Sequence, residues 1–158
     1  MDDQAPATTL ILALGNPLRA DDGAGAAVIK ALQGCRLPPD VELLDGGTPG
    51  LETVLYFEGR SRVIVVDAAD MGLEPGEWRR FTLGDIRLKS NDMALRGTLH
   101  YAGLAEAVAL AGAMDALPAE LVIYGIQPQS LDWQTGLSDV VRTAVGAVAR
   151  QIVQELGR

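Results

Sequence analysis

Residues 8–15, Thr8-Thr9-Leu10-Ile11-Leu12-Ala13-Leu14-Gly15, form a short, nearly continuous apolar run closed by a turn signal. Such a run predicts a strand buried on both faces, the kind found in parallel sheets. Asn16-Pro17 breaks it. A helix is expected from Asp22 to Gln33, with Val28, Ile29 and Leu32 at helical spacing and Gly34 closing it. Asp21 or Asp22 stands where an N-cap belongs. Val41–Leu44 reads as a second strand, stopped by Asp45-Gly46-Gly47, and Leu51–Tyr56 reads as helical. Arg62–Asp67 is the clearest strand, because Val63, Ile64, Val65 and Val66 are all β-branched. Gly76–Leu83 is a weaker strand, suited to an edge. Asp85–Gly97 lacks periodicity and predicts a long loop. Leu104–Met114 is an alanine-rich helix, and Glu120–Gly125 is another buried strand. Behind Ser138 as N-cap, Val141, Val145, Val148, Ile152 and Leu156 make one apolar stripe of a last helix.

Strands and helices thus alternate over most of the chain, which predicts an α/β fold with a mainly parallel sheet covered by helices. No repeat, linker or low-complexity stretch divides residues 1–158, and the length suits one domain. In open α/β sheets, ligands bind beyond the carboxyl ends of the strands. Three predicted strands run into acids there, so Asp21, Asp22, Asp45, Asp67 and Asp70 are offered to one cleft. Each also has a plainer reading. One of Asp21 and Asp22 serves as a cap, which leaves the adjacent acid unexplained. Asp45 before two glycines is a turn former, and Asp70 is a loop residue or a cap. Asp67 is the hardest to dismiss, since a carboxylate at the end of a buried strand needs a partner, a ligand or solvent.

Composition narrows the chemistry. Acidic residues outnumber basic ones 21 to 13, for a net charge of -8. That argues against nucleic acid and anionic membrane surfaces as partners, and it disfavours nonspecific self-association without fixing an oligomeric state. The acidic start Met1-Asp2-Asp3 is unlike a signal peptide, and no apolar run is long enough to span a bilayer. A cytoplasmic protein is expected. The single Cys35 rules out an internal disulfide, and its position after a helix disfavours a Cys-His nucleophile pair. Gly23-Ala24-Gly25 lacks the third glycine of a dinucleotide fingerprint and follows two aspartates where pyrophosphate would sit. Its glycines are better explained by close packing of a helix on the sheet. Neither Lys30 nor Lys89 lies in a phosphate-binding loop, and no nucleophile elbow is present. Carboxylates must therefore supply most of the chemistry. His100, the only imidazole, stands just before a helix, where the neutral, metal-binding form of the ring is favoured. Two carboxylates with one imidazole suit a borderline divalent ion, nickel included.

Five segments in order then resemble the hydrogenase maturation endopeptidases, the proteases that trim the large subunit of nickel–iron hydrogenases. They are Gly15-Asn16-Pro17-Leu18-Arg19-Ala20-Asp21-Asp22-Gly23-Ala24-Gly25, Asp45-Gly46-Gly47-Thr48-Pro49-Gly50, Val65-Val66-Asp67-Ala68, His100-Tyr101-Ala102-Gly103-Leu104 and Gly125-Ile126-Gln127-Pro128-Gln129-Ser130. The resemblance runs from about residue 9 to residue 156. It implies a three-layer sandwich, with a twisted, mainly parallel five-stranded sheet between helices. It implies metal-contacting roles for Asp22, Asp67 and His100, and a further functional acid at Asp45. Three routes to bond cleavage stay open: nickel as Lewis acid or activator of a water, Asp22 or Asp45 as general base, or nickel as recognition signal only. The implied substrate is the hydrogenase large-subunit precursor. Nickel is presented by that precursor rather than stored as a cofactor, and a short C-terminal peptide is removed. Two departures stand out: Asp22 where some relatives carry Glu, one methylene longer, and Gln129 where relatives often carry Glu. Two other classes fit the same residues. A nickel-dependent chaperone would bind the precursor without shortening it, and a small-molecule α/β hydrolase would ignore a hydrogenase partner.

Overall fold

A computed structural model describes residues 8–88 and 104–157. Five strands, β1 (Thr9–Ala13), β2 (Val41–Asp45), β3 (Arg62–Ala68), β4 (Trp78–Thr82) and β5 (Glu120–Ile126), form one sheet in the order β2-β1-β3-β5-β4. All neighbours pair in parallel except β4, which runs antiparallel along β5 at the edge. The helices are α1 (Ala24–Gln33), α2 (Leu83–Leu88), α3 (Leu104–Ala113) and α4 (Asp139–Leu156), with 3₁₀ segments at Ala20–Gly23 and Gly50–Phe57. The expected mainly parallel sheet is therefore present, with the weak strand at the edge.

Alternation along each strand sorts the core into two layers. Ile11, Ala13, Ile64, Val66, Val122 and Tyr124 pack with Val28 and Leu32 of α1 and Val141, Val148 and Ile152 of α4. Leu10, Leu12, Val63, Val65, Leu121 and Ile123 pack on the other face with Phe57 and with Leu104, Val108 and Ala111 of α3. Buried on both faces, β1 and β3 carry no polar side chain between Leu10 and Ala13 or between Val63 and Val66, as a central parallel strand requires. At the opposite end of the sheet from the acids, Glu155 of α4 accepts hydrogen bonds from Arg62, Arg80 and Tyr124. Burial pushes its carboxyl up, but the Arg80 and Tyr124 hydrogen bonds and the Arg62 charge more than offset this and hold it below the usual range.

Three local expectations change. Neither Asp21 nor Asp22 caps α1, because the chain first makes the 3₁₀ turn Ala20–Gly23 and Gly23 takes the cap position without a side-chain bond. Ser138 does precede α4, but its hydroxyl donates to Asp21 instead of accepting from the helix. The expected loop from Asp85 begins as α2. The Thr82 N–H donates to the Asp85 carboxylate at 2.9 Å, and the Asp85 N–H donates to the Thr82 hydroxyl at 3.3 Å. This is a capping box built on Thr-x-x-Asp. The rest of that stretch, to Gly97, lies outside the described residues.

Gly25 sets how close α1 comes to the sheet. A Cβ there would lie 2.7 Å from the Val66 carbonyl oxygen and 2.8 Å from that of Leu14. Alanine would gain up to about 1 kcal/mol in helix propensity. Overpacking against two backbone groups typically costs about 1–3 kcal/mol and outweighs that gain. Gly25→Ala is therefore expected to lower the urea midpoint of unfolding, and an unchanged or higher midpoint would show that α1 can move away freely.

Candidate active site

Strand β1 is flanked by β2 on one side and β3 on the other, so the connections leave it in opposite directions. A crevice opens at such a switch point, beyond the carboxyl ends of the strands. The chain leaving β1 carries Asp22, and β3 carries Asp67 near its end. Asp22 is 2% exposed and Asp67 is 3% exposed.

Each of these acids has one buried oxygen without a hydrogen-bond partner, Oδ1 in both cases. The Asn16 N–H donates to Asp22 Oδ2 at 2.7 Å. Burial pushes the Asp22 carboxyl up, and that bond and the nearby Arg19 charge offset only part of the rise. Burial pushes Asp67 up further, to well above the usual carboxylate range. The charge of Asp22 adds to this, and a hydrogen bond from the Ala68 N–H opposes it. Buried polar atoms are normally paired. Two adjacent carboxylates with orphaned oxygens form a donor set that a divalent cation would satisfy.

Glycine makes this arrangement possible. Gly15 has φ +121°, and a Cβ on it would lie 2.2 Å from the Asp22 carbonyl oxygen. Its N–H donates to the Gly47 carbonyl at 2.9 Å, which ties the loop after β1 to the loop after β2. Between them, Leu14, Gly15, Gly47, Thr48, Pro49, Gly50, Thr53 and Asp67 line a narrow cleft. Gly47-Thr48-Pro49-Gly50, part of one of the five segments that carry the resemblance, thus forms a wall of the site.

The other acids separate by role. Asp21 is fully buried and accepts four hydrogen bonds: from the Gln129 N–H (2.9 Å), the Ser130 N–H (3.1 Å), the Ser138 N–H (2.7 Å) and the Ser138 hydroxyl (2.8 Å). Burial alone would raise its pKa, yet these bonds hold it below the usual range. Asp21 is a staple between the loop after β1 and the loop before α4. Asp45 is exposed at the end of β2, where its Oδ1 accepts the Gly47 N–H at 3.2 Å. It adopts the turn-forming arrangement and does not line the cleft. Asp70 is exposed and accepts from Gly72 and from the Gln127 side chain. Gln127 is buried, and its Oε1 takes the N–H groups of Met71 and Leu73, fixing the loop after β3. His100 lies outside the described residues. Among the described residues, no three His, Cys, Asp or Glu side chains converge as a metal-holding group, so Asp22 and Asp67 are the pair the fold brings together.

Sequence reading passed over Arg19 and Trp133. The Arg19 guanidinium lies over the Trp133 ring, 5.2 Å from its centroid, although the two are far apart in the chain. No helix among the described residues is long and apolar enough to cross a membrane.

Residues 26–155 match the family model described as hydrogenase maturation protease. The chain is 36% identical over 153 residues to the hydrogenase expression/formation protein HupD of Bradyrhizobium diazoefficiens, covering 94% of this chain and 79% of that one. It is 29% identical over 150 residues to the hydrogenase 2 maturation protease of Escherichia coli, covering 93% and 89%. Among solved structures, the hydrogenase maturating endopeptidase HybD from E. coli superimposes with a TM-score of 0.80 at 28% identity, covering 94% of this chain and 91% of that one.

Proposed function

Because the chain belongs to the hydrogenase maturation protease family, and is thereby an endopeptidase that acts in hydrogenase maturation, we propose that its substrate is the nickel-loaded precursor of a hydrogenase large subunit. The orphaned Oδ1 atoms of Asp22 and Asp67 carry this reading. They are acceptors held ready for a cation that the protein need not store. The resemblance adds His100 as a nitrogen ligand. Together these three residues would recognise nickel held by the precursor and so dock its C-terminal segment over the cleft.

Hydrolysis then removes a short C-terminal peptide. A water oxygen bonds to the carbonyl carbon, a carboxylate takes the water's proton, and the C–N bond breaks to leave a new carboxylate and a free amine. Asp22 and Asp45 are the candidates for that carboxylate. Asp22 is nearer the chemistry by position, being buried beside Asp67, and its raised pKa makes it a stronger base than an ordinary aspartate. The work is placed in the cytoplasm, where a lone thiol such as Cys35 stays reduced.

Processing assays on variants test the assignment. Asp67→Ala and His100→Ala are each expected to abolish shortening of the precursor, read as intact mass, while the circular dichroism spectrum stays that of the parent. Full processing by either variant would remove that residue from the site.

A further inference from the structure

Arg19 has N–H donors that no acceptor among the described residues takes. Its Nε is buried without a partner, and no hydrogen bond among the described residues engages the rest of its guanidinium. Its partner is the ring of Trp133, a tryptophan left 75% exposed. Stacking on an aromatic face fixes a guanidinium without consuming its N–H donors.

The pair is braced from both sides. The Ala20 N–H donates to the Gln134 carbonyl at 2.7 Å, and the Asp21 N–H donates to that of Ser130 at 3.1 Å. The Asp132 N–H donates to the Ser130 hydroxyl at 3.2 Å. The Asp21 carboxylate clamps Gln129, Ser130 and Ser138. Ala20, between Arg19 and the two acids, takes a left-handed φ of +50°, a conformation that non-glycine residues seldom adopt outside constrained sites. Arg19 is also close enough to Asp22 for its charge to be felt there. The Asp22 N–H donates to the Arg19 carbonyl at 3.0 Å, so a preorganised cation with free donors stands beside Asp22 on the loop leaving β1.

We propose that Arg19, held by Trp133, contacts the substrate and stabilises the oxyanion formed at the scissile carbonyl. The inference rests on the processing function proposed above. As the water oxygen bonds to carbon, the carbonyl electron pair moves onto oxygen, and a guanidinium N–H donates to it. When the C–N bond breaks, the pair returns to re-form the carbonyl and the departing nitrogen takes a proton. The two carboxylates cannot supply this positive potential, and fixed donors aimed at developing charge are the largest single source of rate enhancement in such reactions.

The test uses the full-length protein, a nickel-loaded large-subunit precursor and intact-mass kinetics. Arg19→Ala is expected to lower kcat by about 10²–10³-fold with little change in KM. Added guanidinium ion should restore part of the rate in that variant only. Arg19→Lys should retain an intermediate rate, and Trp133→Leu should lose about tenfold in kcat. An unchanged kcat for Arg19→Ala would overturn the proposal. So would a rise in KM alone, which would mean that Arg19 merely docks a carboxylate of the precursor. A loss without guanidinium rescue and without partial retention by Lys would assign Arg19 a structural role and equally overturn it. If the wild-type protein leaves the precursor uncut, the processing function itself fails, and that outcome is distinguishable from all the others.

Discussion

Asp67→Asn is expected to make the metal-free protein more stable while destroying its processing activity. Asp67 is nearly fully buried, has an orphaned oxygen and stands beside Asp22. Its carboxyl is raised by burial first and by the Asp22 charge second. At neutral pH the folded state must therefore either bury a poorly solvated charge or hold a proton that the unfolded state would release. Each pKa unit of elevation corresponds to about 1.4 kcal/mol of lost stability. Asparagine has the same shape and no charge, so a gain of about 1–3 kcal/mol is expected. For a chain of this size each kcal/mol raises the melting temperature by roughly 2–4 °C.

A group with a raised folded pKa costs stability above that pKa. As pH falls through it, the folded state takes up the proton first and recovers stability, until the unfolded carboxyl also protonates near about pH 3.9. The difference in melting temperature between variant and parent should be largest at neutral pH and should shrink toward pH 4. Acid destabilisation from Asp21 and Glu155, whose carboxyls are held low, affects both proteins and cancels in the difference. A variant less stable than the parent at pH 7 would show that Asp67 is a satisfied structural carboxylate.

The neighbouring acids should respond in opposite ways. Asp21→Ala removes the acceptor of four hydrogen bonds and leaves three N–H groups and a hydroxyl stranded. Breaking one side of a buried ionic hydrogen-bond network costs about 3–5 kcal/mol, a large share of the about 5–15 kcal/mol that holds a typical domain together. Asp22→Ala removes one accepted bond, from Asn16, together with an unsatisfied oxygen beside a like charge. Its stability cost should be small, within about 1 kcal/mol. Urea denaturation of the two variants measures both, with processing lost in Asp22→Ala although it folds. Equal destabilisation of the two would remove the division of roles between them.

That division shows what the sequence could and could not convey. Asp67 was legible because four β-branched aliphatics lead into it, and an acid ending such a strand demands an explanation. The parallel sheet and its edge strand were legible from alternation and apolar runs, and Gly25 was rightly read as a packing glycine. The roles of Asp21 and Asp22 were not separable in a one-dimensional reading. What distinguishes them is the arrival of Gln129, Ser130 and Ser138, more than a hundred residues on, at one carboxylate and not the other. The Arg19–Trp133 stack was hidden for the same reason. Ser138 looked like a cap because its backbone does enter a helix, but Asp21 competes for its hydroxyl. The start of α2 was legible as Thr82-x-x-Asp85 and was masked by the aperiodic residues after it.

The most direct test of the central claim, that the site acts on nickel presented by its substrate, is a paired mass measurement. The protein is mixed separately with nickel-loaded and nickel-free large-subunit precursor, and each precursor is weighed before and after. The expected result is loss of a short C-terminal peptide from the nickel-loaded form alone. Equal cutting of both forms would contradict the nickel recognition assigned to Asp22, Asp67 and His100, and no shortening of the nickel-loaded form would contradict the proposed substrate.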